Sequence, residues 1–456
     1  MATLFEAMDT SETKTSASIV EGPEWLELLR EQHPHDIAVE LRDLPIKKIR
    51  AVLRQLPDTL VSEVILELPP HTQVLLLESM RVSRLSGILE EMFSDDVADL
   101  LGQISTDRLE KIMEQLPPGD AREISDLLKY EEDTAGGIMQ TEVIHVLEDL
   151  TIAETIERLR GMEHLTESDG YFYVYVTDTS ERLRGVLRIR DLLFSRPERQ
   201  VRDIMIREVR AVSVHADQEE IARMFKHYGF SVVPVVDDFQ RLRGLVTSDD
   251  VMDVMEEEAT EDMQRMIGLS GEESTATPWQ ESVRKRLPWL YVNLVTAFLA
   301  GSVVAIFEST IAQYAVLAVF LPIIAGQGGN AGTQVLTIVV RSLALGDVPD
   351  KGQRAILVKE LIVGVLNGLA IGIVVGLIAL LWKQNIALGV VVFVAMLLNM
   401  VAAGLAGVII PFGLKTLRID PALASAIMLT TVTDVVGFFL FLGFAALALA
   451  LFPLPL

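Results

Sequence analysis

The chain has no cysteine among its 456 residues, which removes disulfides, thiolate metal sites and thiol catalysis but does not fix the compartment. Positive charge is also scarce: 39 Lys and Arg stand against 64 Asp and Glu, a formal net charge of −25. Such a balance disfavours nucleic acid as a partner and favours cations. No nucleophile–base pair or phosphate-binding loop can be read, so nothing points to an enzyme. His33 and His35 are too isolated to build a soft-metal site. Charge of either sign is nearly missing from the back of the chain, where 58 of the acids and 32 of the bases already lie before Leu287. The front is therefore a strongly acidic soluble region large enough for two domains, and the back is membrane. Residues 1–22 carry neither a basic start nor an apolar core, and read as a disordered leader.

Five apolar runs follow, at 289–307, 311–340, 361–382, 386–412 and 423–452. About 20 apolar residues cross a bilayer, so a pore domain of five spans is expected over 287–456. Arg284, Lys285, Arg286, Arg341, Lys351, Arg354, Lys359, Lys415 and Arg418 fall on one side of these runs, and Lys383 alone on the other. The positive-inside rule then puts the soluble half in the cytoplasm and the C-terminus outside a cell (inner) membrane.

Inside the last run stands one carboxylate, Asp434. An ionised Asp at the centre of a spanning helix costs roughly 2.5–3.5 kcal/mol, so it faces a partner, water or an ion. Hydrogen bonding to neighbouring Thr hydroxyls is one reading; a cation site in a pore, with Thr430 and Thr431 beside it, is the sharper one. The second run is broken by Pro322 and by Gly326-Gln327-Gly328-Gly329-Asn330-Ala331-Gly332. Small residues serve tight helix packing, whereas the amides of Gln327, Asn330 and Gln334 suggest a wet face. Asn367 and Asn399 add one amide each to the third and fourth runs, and Glu360 is expected at the interface.

In the soluble half, Leu44, Leu56, Leu68, Met80, Met92, Ile104, Leu116 and Leu128 recur every twelve residues, four of them followed by Pro. This predicts short helices stacked as an α-solenoid over 23–134. Asp95, Asp96 and Asp99 share one turn, and Asp133 with Gly136-Gly137 closes the domain.

A second repeat begins at Ile138-Met139-x-x-Glu142-Val143-x-x-Val146, which returns as Ile204-Met205-x-x-Glu208-Val209-x-x-Val212. Arg182-Leu183-Arg184-Gly185-Val186 and Asp191 return as Arg241-Leu242-Arg243-Gly244-Leu245 and Asp250. The order strand–helix–strand–strand–helix, twice over, resembles a tandem pair of CBS (α/β) domains, at 135–200 and 201–255. That resemblance implies an adenosine-nucleotide cleft, such as one for ATP. Thr247-Ser248-Asp249-Asp250 matches its Thr-x-x-Asp motif, while the first module has Arg188 where Thr is expected. Thr247, Asp250, Arg190, Tyr173 and Phe230 are the candidate nucleotide contacts. Next comes a connecting helix at about 251–266, with Asp253, Glu256, Glu257, Glu258, Glu261 and Asp262 against a stripe of Met252, Met255, Met263 and Met266. A Gly/Ser/Thr linker at 268–277 leads to the first span, so residues 256–286 connect the two halves. A solvated charged face is the ordinary reading of such a helix.

Taken together, an acidic α-solenoid, a CBS pair, a connecting (plug) helix and five spans make a multidomain membrane protein that resembles the MgtE family of magnesium channels. The most specific matches are residues 326–332 with Gln334, and Asp420-Pro421-Ala422 followed by Thr430-Thr431-x-x-Asp434. The resemblance implies a homodimer in lipid, with the pore on its two-fold axis and Mg²⁺ held at Asp434. It implies magnesium influx, closed when intracellular Mg²⁺ bridges the acidic domains. Asp95 or Asp96 would face Asp249, and Asp99 would join the carbonyls of Gly136 and Gly137. Glu257, Glu258 and Glu261 would meet Asp420, with Asp250, Asp253 and Asp262 as further candidate ligands. Ala426-Ile427 departs from the more helix-breaking or polar pair often found there. A hard ion that sheds water reluctantly suits carboxylate rings better than a tight carbonyl cage. Broader divalent transport (cobalt, manganese), a cation-coupled carrier and a membrane-anchored nucleotide sensor are the alternatives.

Overall fold

The computed structural model describes residues 23–162, 173–271, 273–275, 277–346, 348, 352–423 and 425–451; the expected leader lies outside them. The chain divides into two compact units, meeting in sequence between Asp253 and Val254. Each is described by itself.

Among the described residues, the first unit begins with nine short helices: α1 Pro23–Glu31, α2 Pro34–Leu41, α3 Ile46–Leu53, α4 Asp58–Leu66, α5 Pro70–Ser79, α6 Val82–Leu89, α7 Ser94–Gly102, α8 Thr106–Met113 and α9 Pro118–Leu127. The repeat prolines start helices as much as they end them. Pro45, Pro57, Pro69 and Pro117 are N-caps of α3, α4, α5 and α9, with φ between −59 and −53°. Proline's fixed φ suits the entry of a helix, where an N–H lacks a partner in any case. Helices pack on the one two ahead, α2 on α4, α3 on α5, α4 on α6, α6 on α8 and α7 on α9. One continuous core results, into which Leu56, Leu68, Met80 and Leu116 of the twelve-residue repeat are buried.

Two modules of the same topology follow. The first is β1 His145–Leu147, α10 Ile152–Arg160, β2 Tyr173–Thr177, β3 Leu183–Arg188 and α11 Ile189–Phe194. The second is β4 Val212–Ser213, α12 Gln218–Tyr228, β5 Val232–Val236 and β6 Leu242–Thr247, leading into α13 Ser248–Met266. In each sheet the first two strands are parallel and the last two antiparallel, with register shifts at Val176/Thr177 and Val235/Val236. Even the turn chemistry repeats: Arg184 bonds Asp178, and Arg243 bonds Asp237, both by Nη2 at 2.7 Å. The expected strand at 171–176 is seen from Tyr173 onward, its first two positions being outside the described residues.

The second unit holds α14 Trp279–Ile306, α15 Glu308–Gln313, α16 Leu317–Ala344, α17 Gln353–Lys383, α18 Ile386–Thr416 and α19 Ser425–Leu451. Among the described residues, α14, α17, α18 and α19 are long and apolar enough to cross a membrane. The helix of the second run, α16, has 28 residues but carries Gln327, Asn330, Gln334 and Arg341, and it continues through Pro322. α18 is central and touches α16, α17 and α19. Gly364, Gly368, Gly372 and Gly376 of α17 lie every fourth residue against α18, where a Cβ at Gly368 would stand 2.9 Å from the Leu397 carbonyl. Small residues let such helices close on one another. Glu360, on α17, is enclosed by its neighbours. It is 5% exposed, its backbone carbonyl lying against Gly404 of α18 and its carboxylate 3.1 Å from Lys359 Nζ.

Candidate functional site

The first candidate site lies at the start of α7, where the helical domain meets the first CBS-like module. Ser94 is the joint: its N–H and hydroxyl donate to the two oxygens of Glu142, at 3.0 and 2.9 Å. The Thr141 N–H donates in turn to Ser94 Oγ at 2.9 Å. This contact draws acids together. Burial, then neighbouring Asp96 and Asp250, raise Asp95 well above the usual carboxylate range. Asp96 is pushed up to about 7 by burial and by Asp250, Asp99, Glu142 and Asp249. Burial raises Glu142 and Asp250 as well, partly opposed by hydrogen bonds from Ser94 and Thr247 respectively. Clustered acids that disfavour one another's ionisation are what a hard cation relieves.

Nearby, the segment 131–137 turns back on itself. A Cβ at Gly137 would stand 2.5 Å from the Glu131 carbonyl and 2.7 Å from that of Glu132. The Ala135 and Gly136 amides donate to Ala216 and Val214 of the second module. Among the described residues, no group of three or more His, Asp or Glu converges as a direct metal cage. The all-oxygen set fits an ion that keeps part of its water shell, as Mg²⁺ does.

The second candidate site is the seam between α16 and α19. Gly332 meets Leu429, and Gly329 faces Thr430 at 3.9 Å from an ideal Cβ. Further along, both Gly328 and Gly437 press on the buried amide of Asn399. Thr430, Asp434 and Gly437 follow one another at four and three residues, so Asp434 lies on this stripe and is half-buried. The Thr430 and Thr431 hydroxyls both donate to the Ile427 carbonyl, at 3.1 and 2.7 Å. They are bonded to their own helix, which argues against the reading in which they exist to hold Asp434. Asn330 is exposed on α16.

At the start of α19 is the third feature. Asp420 accepts from the Ala422 N–H at 2.8 Å and from Arg265 Nη1 at 2.8 Å, and Arg265 also pairs with Glu261. Arg265 thus stands between Glu261 of α13 and Asp420. Glu257 is exposed, and Glu258 and Asp262 are half-buried on the same helix. Met266 packs into a cluster with Leu336, Ala422 and Leu429, and Gly268 (φ 81°) is buried near Ile427 and Trp289.

Family models match almost the whole of this architecture. MgtE, a divalent cation transporter, matches residues 321–444; the MgtE intracellular N domain matches 32–133; and the CBS domain matches 135–198 and 201–257. The magnesium transporter MgtE of Thermus thermophilus is 36% identical over 433 residues, 93% of this chain and 94% of its own length. The chain belongs to the MgtE family. The Bacillus subtilis MgtE is 29% identical over 418 residues, 92% of each chain. A crystal structure of the cytosolic domain of the Mg²⁺ channel MgtE in complex with ATP is 38% identical, covers 50% of this chain and 93% of that one, and superposes with a TM-score of 0.48.

Members of the MgtE family are transporters, not enzymes, and the apolar helices here fit a membrane protein. Of the ligands expected from the sequence, the structure gathers Asp95, Asp99, Asp249 and Asp250 around Asp96, together with Glu142. Asp253 follows at the exposed end of that group. In the CBS pair, Thr247 and Asp250 are spent on each other, since the Thr247 N–H donates to Asp250 Oδ2 at 3.2 Å and its hydroxyl does the same. Phe230 stacks on Tyr228 at 5.3 Å, Arg190 stands 3.7 Å from Asp191, and Tyr173 pairs with Arg188 across the first sheet. Sequence reasoning missed Glu142, Arg265 and the burial of Asn399. Glu142 did lie in the second repeat, but its counterpart Glu208 is exposed, so the motif carried no signal to separate them. Of the apolar stripe expected on α13, Met252, Met255 and Met263 are exposed and only Met266 is packed, while Val251 and Val254 are buried.

Proposed function

We propose that this chain is a magnesium-selective channel mediating Mg²⁺ influx, working as a homodimer with five spans per protomer, and closed by intracellular Mg²⁺. The observation that carries the reading is Asp434. It is a carboxylate on the α16–α19 stripe, one turn from Thr430 and level with the Gly- and amide-rich segment of α16. A second copy would bring a second Asp434 and a second Asn330 to the same axis, giving a ring suited to a largely hydrated divalent ion. The α16 helix, with its exposed Asn330, is then the fifth span, facing the pore rather than lipid.

Closure follows from the acidic joint in the first unit. Without a divalent ion, Asp95, Asp96, Asp99, Asp249 and Asp250 repel one another and oppose docking of the helical domain, read here as an α-solenoid, on the CBS pair. Mg²⁺ at these carboxylates, joined by the Gly136 and Gly137 carbonyls, would relieve that repulsion. Several weak sites biasing one two-state element give a steep response. Glu257, Glu258, Glu261 and Asp262 of α13, with Asp253 before them, would extend the same sensing toward Asp420. ATP at Thr247, Asp250, Arg190, Tyr173 and Phe230 would tune it, provided that the Thr247–Asp250 bond opens. The exposed methionines of α13 suit a second copy of this chain.

The test is flux through the reconstituted full chain. Asp434→Ala should abolish magnesium entry while leaving expression and oligomeric state unchanged, and Asp434→Asn should impair it, because an amide keeps size but not charge. Wild-type flux in the Ala variant would overturn the pore assignment. Equal wild-type entry of Co²⁺ and Mg²⁺ would overturn the selectivity.

A further inference from the structure

We infer that Asn399 is a positioning residue for permeation, its carboxamide fixing α16 against α19 at the level of Asp434. The inference rests on the reading of Asp434 as the pore carboxylate.

Asn399 lies in the middle of α18 with no exposed surface. Its Nδ2 donates to the backbone carbonyl of Ile324, on α16, at 2.9 Å. Its Oδ1 is buried and, among the described residues, has no hydrogen-bond partner. The amide is clamped between two helices by two glycines. A Cβ at Gly328 of α16 would come within 2.3 Å of Nδ2, and one at Gly437 of α19 within 2.9 Å of Nδ2 and 3.1 Å of Oδ1. Neither position has room for a side chain. Gly437 is one turn beyond Asp434 on α19, and Gly328 is two residues before Asn330 on α16. One side chain from a third helix therefore sets the spacing of the two helices that carry the polar groups of the seam.

Packing alone does not account for an amide here. Leucine has a similar size and would leave no orphaned acceptor, so keeping Asn at a wholly buried position points to the Nδ2 bond as its purpose. Within an apolar slab no water stands ready to replace that bond.

The test uses the full chain in proteoliposomes, with initial Mg²⁺ flux, the ratio of Mg²⁺ to Ca²⁺ flux, and thermal melting measured together. Asn399→Leu should melt at or above the wild-type temperature, yet lose flux about three- to tenfold, the range expected for one interhelical hydrogen bond. The Mg²⁺/Ca²⁺ ratio should narrow with it, a change that simple loss of folded protein would not produce. Should that variant fail to accumulate, Gly437→Ala and its combination with Asn399→Ala carry the test. The single variant should lose flux, and the double, with space restored but no donor, should stay impaired. Wild-type flux and discrimination in Asn399→Leu, or full recovery in the double variant, would overturn the inference. Asp434→Ala run alongside separates the two ideas, because wild-type flux there sinks the pore reading whatever Asn399 does.

Discussion

Replacing Asp96 by Asn should lessen the need for magnesium in docking the helical domain on the CBS pair. Asp96 is pushed up to about 7 from an ordinary 3.8, chiefly by burial and by Asp250. A tenfold change in proton affinity is worth about 1.4 kcal/mol, so holding Asp96 ionised in the docked state costs at most about 4 kcal/mol. The sign follows from the raised pKa. The docked form binds more protons between pH 3.8 and about 7, so docking strengthens as pH falls through about 7 and carries the full cost above it. An amide at this position removes that cost at every pH. Two backbone amides report on the joint directly: Ser94 N–H, bonded to Glu142, and Thr141 N–H, bonded to Ser94. Hydrogen exchange of the full chain in EDTA at pH 8 should show both better protected in Asp96→Asn, by between ten- and about a thousandfold. In the wild type, protection should rise about tenfold from pH 8 to 6 after correction for intrinsic exchange, and rise again on adding Mg²⁺ at pH 8. Equal protection of variant and wild type in EDTA at pH 8 would refute the reasoning, as would wild-type protection that falls on acidification.

Removing residues 1–130 should shift closure by intracellular magnesium to higher concentration without altering ion preference, because the helical domain supplies Asp95 and Asp96 but none of the pore; an unchanged dose–response in patch recording would count against it. Gly137→Ala should destabilise the first unit by about 1–3 kcal/mol, read as a lower melting temperature, since its Cβ would stand 2.5 Å from the Glu131 carbonyl. Neutralising Glu258 and Asp420 together should also move closure to higher magnesium, with monovalent salt unable to substitute, and recordings at matched ionic strength decide it. Cleavage by protease at 268–277 should be slow even without magnesium, because Gln264 and Glu273 exchange two hydrogen bonds at 2.7 and 3.0 Å and Arg286 grips the Glu273 carboxylate; rapid cleavage in EDTA would show that this strap opens.

Much of the local structure was legible in composition and period. Twelve-residue spacing, duplicated strand patterns and long apolar runs are local properties, and local hydrogen bonding within helices and hairpins turns them into elements without help from distant residues. Among the described residues, short helices, paired sheets and long helices accordingly appear near where the sequence puts them. Asp434 was equally legible, because a lone carboxylate in an uncharged span is conspicuous whatever surrounds it. Three things needed the tertiary structure. Glu142 and Glu208 stand at the same place in one repeat, and only contact with Ser94 singles out the first. Arg265 is an ordinary helix arginine until the fold brings Asp420, 155 residues away, to its guanidinium. Asn399 reads as one polar residue in a span, and its role appears only when Gly328 and Gly437 close on it from two other helices. A sequence records which groups are present and how they alternate; which of them lose water together depends on contacts between residues far apart in the chain, and desolvation is what gives a buried charge or amide its energy.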